Sequence, residues 1–249
     1  MKTERLNYID ALRGFTFISM ALYHLMWDLV FIYGVSAVWF RGEAGYLWQQ
    51  SICRTFILVS GFSWALGKHH LRRGLLVSLA GILVTAVTMF FMPEDEHILF
   101  GVLTLIGASM LILIPLEKLL KRVPADIGAW SSFVLFLVTR GINYKFLGFE
   151  LLKFIRLPQG LYRNPVTAFF GFPPDNFYSA DYFSLLPWFF LFVTGYFLKR
   201  LFEELGWLKY LKGTKIAPLE WIGRHCLILY MLHQPVIYGL LSLGRRTAG

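Results

Sequence analysis

The sequence is poor in charged residues and in cysteine. Of its 249 residues, 16% are charged and two are cysteines. No polar stretch is long enough for a separate soluble domain, so one membrane domain over residues 1–249 is the simplest organisation. Cys53 and Cys226 lie in apolar runs without the spacing of metal ligands, and we interpret them as small hydrophobic residues. The first apolar run lacks a small-residue cleavage site, which argues against a removable signal peptide.

Apolar residues dominate what remains. Hydrophobic residues make up 57% of the chain, and the mean hydropathy is +0.57. These values predict an all-α polytopic membrane protein, a bundle of about seven transmembrane helices. The predicted spans are 9–31, 46–67, 74–92, 98–117, 126–142, 182–199 and 217–243. A long outer loop is predicted at 143–181 and a cytoplasmic loop at 200–216.

The distribution of basic residues predicts the orientation. With the N-terminus in the cytoplasm, the loops near residues 68–73, 118–122 and 199–215 are cytoplasmic. Together with Lys2 and Arg5 they carry 13 of the 24 Lys and Arg residues. We therefore expect an integral membrane protein with a cytoplasmic N-terminus. The net charge of +9 is better explained by orientation and anionic lipid than by nucleic acid. An even number of spans stays open, because the last one could be re-entrant.

The first span carries a stripe of ionisable residues. At about 100° per residue, Asp10, Arg13, His24 and Asp28 project within roughly a 60° arc, with Phe17 among them. Arg13 and His24 lie about 16 Å apart along the helix axis. Because ionisable groups are costly in hydrocarbon, the stripe should face a protein-lined cavity rather than lipid. The spacing predicts a site with a cation near one membrane surface and an imidazole near the other.

Polar residues in other spans are expected at similar depths. Arg54 in the second span should lie near the depth of His24, and so should His233 and Gln234 in the last span. Pro235 removes a backbone donor and predicts a kink there. The basic turn with Lys68, Arg72 and Arg73 is either a positive-inside stop signal or a phosphate-binding element.

These motifs resemble a known family. Arg13 and His24, separated by ten residues, are similar to the arginine–histidine signature of the acyltransferase 3 family. The combination of residues 9–14 (IDALRG), 23–29 (YHLMWDL), 185–188 (LLPW) and 233–235 (HQP) more closely resembles the bacterial branch of the heparan-α-glucosaminide N-acetyltransferase catalytic-domain family. Both families belong to one transmembrane acyltransferase superfamily.

The resemblance implies an activity. It implies a membrane acyltransferase, usually an acetyltransferase, that takes the acyl group from cytoplasmic acetyl-CoA without a metal. The acceptor would be a glycan or small sugar of the cell envelope, reached at the outer face. Eukaryotic members carry a histidine in the loop after the first helix, whereas residues 34–45 here contain none. The acceptor, the choice between oxygen and nitrogen, and a homodimeric assembly are left open.

The chemistry of acyl transfer assigns a role to each candidate residue. The transfer needs a base, donors to the oxyanion and positioning. His24 is the predicted general base, Asp28 would fix its tautomer, and Arg54 is a candidate oxyanion donor. The predicted donor-binding residues are Arg13, Asp10, Lys68, Arg72 and Arg73. The predicted acceptor-binding residues are Trp27, Asp181, His233 and Gln234.

Structural explanations compete with these roles. Arg13 and Asp10 could form an ion pair that holds the bundle, and His24 could bond to a neighbouring helix. A transporter or flippase could use the charged stripe as a relay, although no inverted repeat is visible. A non-catalytic membrane scaffold would leave the stripe unexplained. Binding of CoA distinguishes the enzyme from both.

Overall fold

The computed structural model describes residues 5–149, 152–213 and 216–248, with side chains up to residue 244. This leaves Glu150, Leu151, Thr214 and Lys215, within the two predicted loops, outside the described residues. The described helices and strands, in chain order, are α1 (Asn7–Trp27), α2 (Val38–Arg41), α3 (Glu43–Trp64), α4 (His70–Phe91), α5 (Val102–Leu120), α6 (Ala125–Val138), β1 (Phe146–Phe149), β2 (Leu152–Arg156), α7 (Pro165–Phe170), α8 (Leu185–Glu204), α9 (Ala217–Arg224) and α10 (Cys226–Ala248).

The fold is that of an all-α polytopic membrane protein, as predicted. Within the described residues, six helical segments are long and apolar enough to cross a bilayer: Asn7–Ile32, His70–Phe91, Val102–Leu120, Ala125–Tyr144, Leu185–Glu204 and Cys226–Gly244. The predicted second span corresponds to α3, which has 22 residues but is not among these six. Large apolar side chains on the segments are exposed, for example Phe90 and Phe91 of α4, as expected of surfaces in contact with lipid.

The predicted last span, 217–243, is wrong as one continuous helix. The structure divides it into α9 and α10, and His225 stands between them as the C-terminal cap of α9. Pro235 lies inside α10, which is continuous over Cys226–Ala248. The break at His225 was not predicted, and the kink expected at Pro235, inside α10, stays a prediction.

The chain forms two compact units, 1–56 with 206–249 and 57–205. In the first unit, two glycines bring α1 and α9 into backbone contact. A Cβ atom on Gly14 would lie 2.0 Å from the carbonyl oxygen of Leu219, and one on Gly223 would lie 1.8 Å from that of Asp10. Small residues allow this close approach of helices. The contact fixes the N-terminal residues of the α1 stripe, Asp10 and Arg13, beside the backbone of α9.

A small hydrophobic core follows that contact along α1, in the same unit. Phe17 and Met20 of α1 pack with Ile52 of α3 and Cys226 of α10. Cys53 and Cys226 are not joined by a disulfide. This core holds α1, α3 and α10 together at the level between Arg13 and His24.

The second unit also depends on small residues. Gly107 of α5 packs against Ser78 of α4, where an added Cβ would lie 2.4 Å from the hydroxyl oxygen. Gly61 of α3 and Gly195 of α8 similarly meet backbone carbonyls, of Phe192 and Leu58. These small residues allow the helices of the unit to approach closely.

The predicted outer loop is folded. Strands β1 and β2 form an antiparallel hairpin, and α7 follows it. The Tyr162 hydroxyl donates to the carbonyl oxygen of Ile142 at 2.5 Å, and the Tyr182 hydroxyl donates to that of Ala168. Burial raises the pKa of Tyr162 to about 12 and also raises that of Tyr182, so both hydroxyls stay protonated as donors at neutral pH.

Candidate functional site in the first unit

The polar stripe of α1 lies among other helices, and the protein-lined cavity expected beside it stays a prediction. Asp28 is fully buried at 0% exposure, and Phe17 is buried in the core of the unit. Phe15 and Leu22, on the opposite side of the helix, are 61% and 49% exposed. The helix thus presents apolar residues to the lipid side and keeps its ionisable residues among other helices.

Two imidazoles meet at the C-terminal end of the stripe. The rings of His24 on α1 and His233 on α10 have their centroids 4.9 Å apart, with 56° between their planes. The Nδ1 atom of His233 lies 2.5 Å from the carbonyl oxygen of Tyr230, one turn earlier in α10. Phe17 lies edge-on to His233 at 6.4 Å. Two candidates that the sequence placed at similar depth are therefore neighbours.

Asp28 is bound by α10 as well. The Gln234 side-chain amide donates to both Asp28 carboxylate oxygens, at 2.9 and 3.1 Å. Asp28 also begins a π-helical turn, Asp28–Ile32, that follows α1. Such turns often mark functional sites. Among the described residues, the His24 ring has no side-chain hydrogen bond to Asp28, so the predicted fixing of its tautomer by Asp28 stays a prediction.

The other end of the stripe is an ion pair attached to α9. The Arg13 guanidinium donates to an Asp10 carboxylate oxygen at 2.9 Å and to the carbonyl oxygen of Gly223 at 3.2 Å. The two side chains are 21% and 19% exposed, respectively. The ion pair offered as a structural explanation is therefore present, and it holds the guanidinium in place. A role for Arg13 in donor binding stays a prediction.

Aromatic side chains surround the histidine pair. Tyr23 lies edge-on to His24 at 6.0 Å, and Tyr23 in turn contacts Trp48 of α3. Trp27, a predicted acceptor residue, packs on Phe31 with ring centroids 5.2 Å apart. Aromatic faces of this kind suit sugars as well as the membrane interface. Arg54, also in this unit, is half-buried on α3, and its assignment to the oxyanion stays a prediction.

The remaining predicted site residues belong to the second unit. Lys68, Arg72 and Arg73 are exposed at and after the turn into α4. Asp181 lies at the start of α5, where its carboxylate accepts from the backbone N–H of Val102. It thereby satisfies a helix N-terminus. Burial raises the pKa of Asp181 from 3.8 to about 6, although the bond from Val102 opposes the shift.

Two participants in the site were not predicted. The Tyr230 carbonyl sets the His233 ring, and the Gly223 carbonyl receives Arg13. Both act through backbone atoms, which a residue type does not reveal. In the described part of the chain, no three His, Cys, Asp or Glu side chains are grouped as metal ligands.

A comparison with family models gives the affiliation. The model described as heparan-alpha-glucosaminide N-acetyltransferase, catalytic, matches residues 5–235, which is most of the chain. The chain belongs to this family. A search of curated proteins and a search of solved structures gave no match.

Membership of the heparan-α-glucosaminide N-acetyltransferase family supports the coarser expectations. It is a family of acetyltransferases, which fits a protein with several helices of membrane-spanning character. The family suggests acetyl-CoA as the donor and a sugar-type acceptor. The matched region includes both the α1 stripe and the His233–Gln234 pair of α10.

Proposed function

We propose that this protein is an integral membrane acyltransferase that transfers an acetyl group from cytoplasmic acetyl-CoA to a glycan-type acceptor at the outer face. His24 is the general base. The observation that carries the proposal is the buried polar cluster of α1 and α10 inside a span. Ionisable residues at such depth are costly and are usually retained for function.

The proposed reaction is a base-assisted attack of the acceptor on the thioester. The acceptor hydroxyl or amine gives its proton to His24 and attacks the thioester carbonyl, and a C–O or C–N bond forms. The C–S bond then breaks, and the CoA thiolate takes the proton from the His24 imidazolium. Arg54 is the proposed donor to the oxyanion that develops in between.

Donor and acceptor are assigned to opposite ends of the stripe. The proposed donor-binding residues, with Arg13 foremost, are cationic and suit the phosphates of CoA. They comprise Arg13 with Asp10, and Lys68, Arg72 and Arg73. Trp27, Asp181, His233 and Gln234 are the proposed acceptor-side residues. The proposal includes a cytoplasmic N-terminus and a bacterial inner membrane, where surrounding lipid is a natural partner.

The experiment measures transfer or hydrolysis of acetyl-CoA by the purified protein in detergent. We expect turnover by the wild type and loss of at least about 10²-fold in kcat for His24→Ala. The matched control is His225→Ala, because His225 is exposed and bonds only within its own turn, to Trp221. Wild-type turnover by His24→Ala would refute the assigned base.

Binding of CoA, measured separately by calorimetry, tests the reaction class. An enzyme of this kind binds CoA whether or not the acceptor has been identified. A transporter or flippase that uses the stripe as a relay would show no affinity for CoA, and that result would refute the proposal.

A further inference from the structure

The tautomer of His233 is set by its own helix. Its Nδ1 atom lies 2.5 Å from the carbonyl oxygen of Tyr230. A carbonyl oxygen can only accept, so Nδ1 carries the proton of the neutral ring. Nε2 then has a lone pair and no proton, which makes it a hydrogen-bond acceptor.

That acceptor atom is buried without a hydrogen-bond partner in the described part of the chain. Buried polar atoms are normally satisfied, and an exception calls for an explanation. The neighbouring polar ring is His24, at 4.9 Å between centroids. A hydrogen bond of about 2.9 Å between nitrogens of two imidazoles places the ring centroids about 5 Å apart. The separation of the two rings is therefore compatible with such a bond.

We propose that His233 is a positioning residue for His24. Its Nε2 atom accepts the N–H of His24, which leaves the other nitrogen of His24 unprotonated and directed at the acceptor. This inference rests on the proposed function, in which His24 is the base. His233 thereby takes the role that the sequence suggested for Asp28. The Asp28 carboxylate instead accepts hydrogen bonds from the side-chain amide of Gln234.

The arrangement helps where charge develops. When His24 takes the proton of the acceptor, its N–H···N bond to His233 becomes charge-assisted and stronger. An interaction that strengthens in the transition state lowers the barrier. The Nε2 atom of His233 is buried, so in this role His233 acts through His24, in place of the acceptor contact proposed for it above.

Two substitutions separate this role from packing. His233→Phe keeps an aromatic ring but removes the acceptor, and we expect kcat to fall by about 10- to 100-fold with KM for acetyl-CoA within about twofold. His233→Gln places an amide oxygen near the position of Nε2 and should recover part of that loss. The control is His225→Phe at the exposed histidine between α9 and α10. If His233→Phe retains the wild-type kcat, or if His233→Phe and His233→Gln lose activity equally, the inference is overturned.

A spectroscopic readout is independent of turnover. In protein labelled with ¹⁵N-histidine, long-range nitrogen–proton spectra distinguish the two neutral tautomers. We expect His233 to be protonated at Nδ1, and we expect His24 to show one tautomer in the wild type and a mixture in His233→Phe. Protonation of His233 at Nε2 would overturn the inference. Inactive wild-type protein with the expected tautomers would instead refute the proposed function and leave the hydrogen bond standing.

Discussion

The side-chain amide of Gln234 donates hydrogen bonds to both carboxylate oxygens of Asp28, at 2.9 and 3.1 Å. The pair connects the end of α1 to the middle of α10 across 206 residues of sequence. Because Asp28 is fully buried, water cannot replace the amide when it is removed. The pair therefore contributes both to stability and to the placement of the neighbouring His233.

Gln234→Met should destabilise the protein. The substitution keeps the volume and leaves a buried carboxylate with fewer donors, and the expected loss is about 1.5–3 kcal/mol in the free energy of unfolding. Denaturant unfolding in detergent measures it, with Gln159→Met at an exposed position as the control. An equal unfolding midpoint for the two variants would show that the amide is not needed by Asp28.

Gly14→Ala should also destabilise, against the usual preference of helices. An alanine is normally about 1 kcal/mol better than glycine within a helix. At Gly14 the new Cβ would lie 2.0 Å from the carbonyl oxygen of Leu219, whereas at Gly239 of α10 nothing lies within 4 Å. We therefore expect opposite signs: a loss of about 1–3 kcal/mol for Gly14→Ala and a small gain or no change for Gly239→Ala. A stabilised Gly14→Ala would contradict the close contact of α1 and α9.

The sequence predicted elements better than it predicted partners. The 3.6-residue period placed Asp10, Arg13, His24 and Asp28 on one side of α1, and hydropathy identified the six apolar segments. Both are local properties of the chain. The break at His225 was missed because Gly223, just before it, is equally compatible with a close helix contact, which it makes with α1. The kink expected at Pro235, which lies within α10, stays a prediction.

Long-range pairing lay beyond the sequence. Depth alone suggested that His24, His233 and Gln234 were at one level, but it could not assign the amide to Asp28 and the second imidazole to His24. The π-helical turn at Asp28 changes the direction in which the following residues point. The residue types in this segment do not predict such a turn. Backbone acceptors, those of Tyr230 and Gly223, are equally invisible in a sequence.

Asp181 gives stability a pH dependence of known sign. Its pKa is raised in the fold from 3.8 to about 6, so the folded state binds the proton more tightly than the unfolded state. The stability from this group is fully present below about pH 4 and is lost as pH rises through 6. Asp181→Asn keeps an oxygen that can accept from Val102 but does not ionise.

The measurement compares the thermal unfolding midpoints of the wild type and Asp181→Asn between pH 4 and 8. We expect the wild type to become less stable relative to the variant as pH rises from 4 to 6 and the difference to level off above about pH 7. A difference that stays constant over the whole range would show that Asp181 is not protonated in the fold.

Arg13 joins a structural contact to a proposed binding role, and two substitutions separate them. Asp10→Asn removes the ion pair and keeps the guanidinium, whereas Arg13→Gln removes the cation itself. If Arg13 binds a phosphate of CoA, Arg13→Gln should weaken CoA affinity by about 10- to 100-fold, the loss of one charge-assisted hydrogen bond. Asp10→Asn should then have the smaller effect, since the cation is still present. Calorimetric titration with CoA measures both. If the arginine only holds α1 to α9, both variants will unfold more readily and will bind CoA as the wild type does.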